Sequence, residues 1–179
     1  FYGIRFYNTS NVLIRNCVSE WNWYTGFSGN AASSYSHITI EDSVFRYNGA
    51  DGINFALSGS SSSDHVIRRN TCYENGKHQN NPGFDFNHTW TSGIKILGFL
   101  TRRVLIERNR VYKNGYGGLG NRGNGIWLDF CKADSADNAN VIRYNLIYDN
   151  NKMAVFLEVV DHCHVYGNVI FDNAHLGEA

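Results

Sequence analysis

Short runs in which apolar and polar residues alternate, rich in Ile, Val, Phe and Tyr, recur along the whole chain, and none follows the 3.6-residue period of an amphipathic helix. Six of these runs share one register. An aliphatic residue (Ile14, Ile40, Ile67, Ile106, Ile142, Val165) is followed three positions later by Cys17, Ser43, Asn70, Asn109, Asn145 or Asn168. Five positions further on comes an asparagine: Asn22, Asn48, Asn75, Asn114, Asn150 and Asn173. The step between copies is 26, 27, 39, 36 and 23 residues, so one constant element is joined by connections of varying length. Inside each copy, Ser19, Phe45, Cys72, Val111, Ile147 and Ile170 form a mostly apolar row predicted to point inward. Trp21, Tyr47, Glu74, Lys113, Asp149 and Asp172, two positions on, are predicted to point outward.

A second strand per copy is marked by Gly3-Ile4-Arg5-Phe6, Gly52-Ile53-Asn54-Phe55, Gly93-Ile94-Lys95-Ile96, Gly125-Ile126-Trp127-Leu128 and Ala154-Val155-Phe156-Leu157, with Gly26-Phe27 a weaker form. Parallel strands stacked coil on coil, with asparagines at the bends, predict an all-β chain: a right-handed parallel β-helix of about six coils forming one domain over residues 1–179. Each bend asparagine is expected to take left-handed backbone geometry and to donate its amide to its counterpart one coil away. The asparagines are therefore structural.

Composition adds limits. A chain with 42% hydrophobic residues and one proline can fill an elongated core. Lys and Arg together number 16, as do Asp and Glu, and no basic run occurs, so neither nucleic acid nor an anionic membrane surface is expected as partner. Nor is any apolar run long enough to cross a membrane. The aromatic share of 15% suits a protein that handles sugars by stacking. The chain opens at Phe1 inside a strand pattern and stops soon after Asn173, with no evident cap. The expectation is a piece of a longer protein, located outside the cytoplasm, whose exposed end coils permit self-association. Cys17 and Cys72 read as buried free thiols, whereas Cys131 and Cys163 lie in neighbouring copies and leave a bridge open. With no CxxC or HxxH spacing, neither a metal site nor a cofactor is expected.

Candidate chemistry follows from the strand alternation. If Ile126 and Leu128 point in, Trp127 and Asp129 point out; one coil later Val155 and Leu157 point in, and Phe156 and Glu158 out. Asp129 and Glu158 thus occupy equivalent outward positions on adjacent coils. Neighbouring strands lie ~4.8 Å apart, close to the ~5–5.5 Å between the two carboxyl groups of a retaining glycosidase. An inverting pair needs about 6.5–9.5 Å, nearer a two-coil gap. Trp127 and Phe156 offer an apolar wall for a sugar ring. Lys95, in register with Trp127, is placed to bond a sugar hydroxyl or tune the nucleophile, and Asn54 extends the same row. Two long connections, residues 77–92 and 116–124, would shape a cleft, with Trp90 as a stacking platform. The run Gly117-Gly118-Leu119-Gly120 lacks the Lys-Ser/Thr ending of a phosphate loop. His78 and His88 read as surface residues, and a plain alternative for Asp129 and Glu158 is that they are solvated strand-end side chains.

Gly125-Ile126-Trp127-Leu128-Asp129, followed a coil later by Phe156-Leu157-Glu158-Val159, resembles the paired motif of right-handed β-helix glycosidases of glycoside hydrolase family 120, the β-xylosidases. Gly93-Ile94-Lys95-Ile96 resembles the preceding strand of that family, so the likeness spans about residues 93–173. The resemblance implies a retaining glycosidase acting on an oligosaccharide or polysaccharide such as a β-xyloside, with Asp129 as nucleophile and Glu158 as general acid/base. The sequence departs from the family in the 29-residue spacing of the pair, lengthened within residues 132–140, and at Phe130, Cys131, Val160 and Asp161, which bear on the choice of sugar. Two other readings stay open. A polysaccharide lyase would use Lys95 as base with Asp129 and Glu158 as calcium ligands, although few arginines align near Lys95 to hold a uronate. A non-catalytic binding or structural β-helix would use none of these residues as catalysts.

Overall fold

The computed structural model describes residues 1–31, 35–76, 91–115 and 123–175. The chain winds through six coils, and each coil lays one strand in each of three parallel sheets. The first sheet holds Ile4–Tyr7, Phe27–Ala31, Ile53–Ser63, Ser92–Arg102, Asn124–Asp129 and Val155–Glu158, with a seventh, two-residue strand, Tyr35–Ser36, paired to the far end of Ile53–Ser63. The second holds Val12–Arg15, Ile38–Glu41, Val66–Arg68, Leu105–Glu107, Asn140–Arg143 and Cys163–Tyr166. The third holds Val18–Glu20, Val44–Arg46, Thr71–Tyr73, Arg110–Tyr112, Leu146–Tyr148 and Val169–Phe171. All pairings are parallel, and the register places Ile14 on Ile40 and Ile126 on Val155, as the repeat requires.

Each coil therefore has three strands where the alternation suggested two. The break is made by residues with positive φ (Asn16, Asp42, Arg69, Arg108, Tyr144 and Gly167), which turn the chain between the aliphatic position and the inward row. A second set, Trp21, Tyr47, Glu74, Lys113, Asp149 and Asp172, turns it again just before each final asparagine. The left-handed geometry thus belongs to the residue before the ladder asparagine, which leaves the asparagine free for bonding. Asn75 Nδ2 donates to Asn114 Oδ1 at 3.0 Å and, one coil back, to the Phe45 carbonyl at 3.0 Å, while the Asn75 backbone N–H donates to the same Asn114 oxygen at 3.2 Å. The pattern repeats from Asn114 to Asn150 and from Asn150 to Asn173, and at the other bend from Asn70 through Asn109 and Asn145 to Asn168. Each amide ties three coils together and leaves no buried donor or acceptor of its own unmet.

The core is the stack of inward rows: Phe27, Ile53, Ile94 and Ile126 from the first sheet, Ile40, Ile67, Ile106 and Ile142 from the second, and Phe45, Cys72, Val111 and Ile147 from the third, all 0% exposed. On the final coil the same rows open to solvent, with Val165 at 41%, Ile170 at 48% and Leu157 at 42%. Gly93 has its place because a Cβ there would come within 2.4 Å of Val111 Cγ1 and 2.8 Å of Asn114 Nδ2, so the first sheet can approach the third only where the side chain is absent.

All four cysteines are free, including Cys131 and Cys163, so the open question of a bridge is answered against it. The Cys131 thiol instead donates to the Ile96 carbonyl at 3.3 Å, and burial pushes it up to about 12. The aromatic content also has a use inside the fold. Tyr73, Tyr112, Tyr148 and Phe171 stack coil on coil along the third sheet, with ring centroids 4.9, 4.9 and 5.0 Å apart and planes within 5° of parallel. Rings stacked this way spend their faces on one another, so much of the aromatic share is scaffold rather than sugar platform.

Candidate active site

The outer face of the first sheet carries the residues singled out by alternation. Asn54 stacks on Lys95, Lys95 on Trp127 and Trp127 on Phe156, while Asp129 pairs with Glu158 in register. This is the arrangement expected from the repeat. The surprise is cover: Lys95 is 6% exposed, Trp127 1% and Asp129 7%, so pointing away from the core does not mean facing water. Glu158 and Phe156, on the last coil, are half-buried. Trp90 lies outside the described residues, as do most of the two long connections, 77–90 and 116–122.

Lys95 Nζ is 3.1 Å from Asp129 Oδ2, a buried ion pair between neighbouring coils. The same nitrogen lies 3.4 Å from the Trp127 ring centroid, a cation–π contact. On the other side Phe156 packs on Trp127 with centroids 5.2 Å apart. The indole is thus held between a cation and a phenyl ring rather than presented as an open wall, and it seats Lys95. Asp129 Oδ1 is buried and has no hydrogen-bond partner. One carboxylate oxygen is anchored and the other is left for a ligand or reacting atom.

The structure adds residues that alternation did not single out. Asp51, 1% exposed, accepts the Ser92 backbone N–H at Oδ1 at 2.7 Å and the Asn54 side-chain amide at Oδ2. Burial pushes its carboxyl up to about 6, with the nearby Lys95 charge and these hydrogen bonds holding it back. Ser92 and Asn124, the residues before the glycines of the next two coils, are 0% and 5% exposed and pair in register. Asn54 Oδ1, Ser92 Oγ and Asn124 Oδ1 are buried without partners, like Asp129 Oδ1. In sequence these residues look like bend residues beside glycine. The one sign of another role is the Asp51-to-Asn54 spacing, which the fold repeats as Ser92 to Lys95 and Asn124 to Trp127.

Among the described residues no three His, Cys, Asp or Glu side chains come together as a metal-binding group. In comparisons with known proteins, the family model described as right handed beta helix region matches residues 1–177. No curated protein and no solved structure matches the chain.

Proposed function

The chain belongs to the right-handed β-helix family, a fold shared by glycosidases, lyases and non-catalytic proteins, and we propose that it is a retaining glycoside hydrolase acting on neutral glycosides such as β-xylosides. The observation that carries the reading is the coil-to-coil pairing of Asp129 with Glu158, one of the two having a buried, unpartnered oxygen. Lys95 holds Asp129 Oδ2, leaving Oδ1 to attack the anomeric carbon. As that C–O bond forms, the glycosidic C–O bond breaks and Glu158 gives its proton to the leaving oxygen. Glu158 then takes a proton from water, the water oxygen attacks the anomeric carbon, and Asp129 departs as carboxylate. Phe156, half-buried beside the pair, supplies the apolar wall.

The lyase reading needs Lys95 as a base with a free lone pair. Lys95 is instead committed to Asp129 and Trp127, with no arginine beside it among the outward residues of the neighbouring strands. Activity of the intact protein on aryl β-xyloside and related glycosides is the test. Product should form with retained anomeric configuration by NMR. Glu158→Gln should lower kcat by about 10²–10⁴-fold, and Asp129→Asn should abolish turnover. Inertness of the wild type on every glycoside, or turnover undiminished in both variants, overturns the proposal; an unsaturated product absorbing in the ultraviolet would establish the lyase.

A further inference from the structure

We propose that Asp51, Asn54, Ser92 and Asn124 form an acceptor-rich subsite beside Asp129 that takes the hydroxyl groups of a neutral sugar, with Asp51 as the positioning residue that turns the Asn54 carbonyl oxygen toward the ligand. It rests on the hydrolase reading only in being the place where the reacting sugar would lie. The argument starts from bookkeeping of donors and acceptors. Four side-chain oxygens on three consecutive coils of the first sheet (Asn54 Oδ1, Ser92 Oγ, Asn124 Oδ1 and Asp129 Oδ1) are buried and bonded to nothing. A buried polar group without a partner is destabilising, so these four are an exception in a fold whose asparagine ladders are saturated.

The orientation of Asn54 is fixed by chemistry. Its amide nitrogen must face Asp51 Oδ2, because Asp51 Oδ1 already takes the Ser92 N–H and an ionised carboxylate can only accept. The Asn54 oxygen therefore faces away, on the row shared with Lys95. The ligand that complements three or four acceptors around one committed ammonium is a donor-rich neutral one. Vicinal sugar hydroxyls fit, since each donates one hydrogen. A carboxylate brings only further acceptors.

Asp51 makes the orientation dependent on pH. Facing it are Lys95 on the next coil, Asn54 and Ser92, and Tyr24 on the coil before. Above about 6 the Asp51 carboxylate accepts both bonds. Because Oδ1 keeps the Ser92 N–H, the proton goes to Oδ2, which then donates, and Asn54 answers by rotating its amide so that its oxygen faces Asp51. The ligand then meets a donor where it needs an acceptor.

Binding can be measured in a Glu158→Gln background, which slows turnover enough for equilibrium titration and changes no residue of this subsite. The probes are methyl β-xyloside, its 2-, 3- and 4-deoxy derivatives, methyl β-glucuronide and methyl β-glucosaminide, titrated by calorimetry at pH 7 and pH 5. The xyloside should bind, one deoxy derivative should bind at least ~10-fold more weakly, and Asn54→Ala should remove that difference. Xyloside affinity should fall between pH 7 and 5. With Asp51→Asn the weak, low-pH value should hold at both pH values, because the amide introduced at position 51 donates to Asn54 permanently. Preference for the glucuronide or the glucosaminide, failure of the whole panel to bind, or Asn54→Ala weakening every probe equally would each overturn the subsite. If Asp51→Asn does not fold, the Asn54→Ala comparison and the wild-type pH series decide it. The hydrolase reading is judged separately: xyloside binding with the Asn54 signature but no turnover by the wild type keeps the subsite and loses the catalysis, and turnover without that signature does the reverse.

Discussion

Replacing Lys95 by Met tests whether the buried pair on the first sheet is a working charge arrangement or incidental packing. Methionine preserves much of the stem lying over Trp127 and removes the ammonium. At 3.1 Å from Asp129 Oδ2, the gross attraction is about 5 kcal/mol at an effective dielectric of ~20, and desolvation of both groups cancels much of it. Removing one partner of such a pair costs about 3–5 kcal/mol, because the other charge stays buried. Lys95→Met is the harsher of the two single changes, since it strands Asp129 and Asp51 together, one 7% and the other 1% exposed. Asp129→Asn leaves Lys95 with Asp51 still near, so about 2 kcal/mol is expected. In the double variant the Asp129 charge is gone and only Asp51 stays without its cation, and the coupling energy should be about 2–3 kcal/mol.

Urea unfolding at pH 7 measures all four proteins, with circular dichroism and tryptophan fluorescence required to coincide so that one free energy is defined for a solenoid. A pH series sharpens the result. Asp51 already has its folded carboxyl at about 6, above its ordinary value of 3.8. A carboxyl raised on folding favours the native state below its unfolded pKa, and that contribution is lost as pH rises through the folded one. Lys95→Met removes the cation that restrains this rise, so its deficit should shrink as pH falls from 7 to 5. A coupling energy under about 0.5 kcal/mol, or a deficit that grows on acidification, would refute the reasoning.

The ladders and the buried histidine give two further tests. Asn114→Ala removes bonds to Asn150, Cys72 and Asn75, all in the interior, and should cost about 3–5 kcal/mol in urea unfolding, whereas Asn173→Ala at the open end should cost about 1; equal costs would show that the ladder is not carried by buried amides. His65 accepts the Ile38 N–H at 3.2 Å and is packed by Tyr35 and Phe55, and burial pushes its imidazole down to about 3. Its neutral form supports the fold fully above the unfolded pKa of about 6.5, and stability should be lost at up to ~1.4 kcal/mol per pH unit below that. His65→Asn should flatten the thermal midpoint between pH 6.5 and 4.5 relative to wild type, the opposing contribution of Asp51 being common to both; parallel curves would contradict the burial argument.

The repeat made the architecture legible because a β-helix writes its coil length into the sequence: the asparagine at the end of each copy is forced by a bend that must bond to the next bend. What the pattern hid was the middle turn. Asn16, Asp42, Arg69, Arg108 and Tyr144 carry no common signature of left-handed geometry, so two short strands read as one run. The candidate site was half legible. Strand alternation placed Asp129 over Glu158 and Lys95 beside Trp127, since these depend on register alone. Burial did not follow, because alternation fixes which face a side chain takes and not what lies over that face. Asp51, Ser92 and Asn124 escaped notice because they precede a glycine, where a small polar residue is what any bend prefers; their meaning appears only when three coils are stacked.

The two charged sheets treat their buried carboxylates differently, and the difference favours the first as the proposed site. On the second sheet Glu41 is 4% exposed, as deeply buried as Asp129, yet it faces Arg68 at 2.7 Å, Arg69 at 3.0 Å and, through its other oxygen, Arg15 at 3.6 Å. The Arg68 hydrogen bond chiefly holds its carboxyl below the usual range. Glu107 with Arg143 at 2.8 Å repeats that design two coils on. In both pairs two guanidinium nitrogens converge on one carboxylate oxygen, Oε2. The first sheet uses a lysine, a single point charge that satisfies one oxygen of Asp129 and leaves the other bare, and side-chain oxygens of Asn54, Ser92 and Asn124 on the neighbouring coils are unmet as well. A fold that closes its buried carboxylates with arginines on one sheet and leaves Asp129 Oδ1 bare on another has its unmet oxygens where the proposed sugar subsite lies.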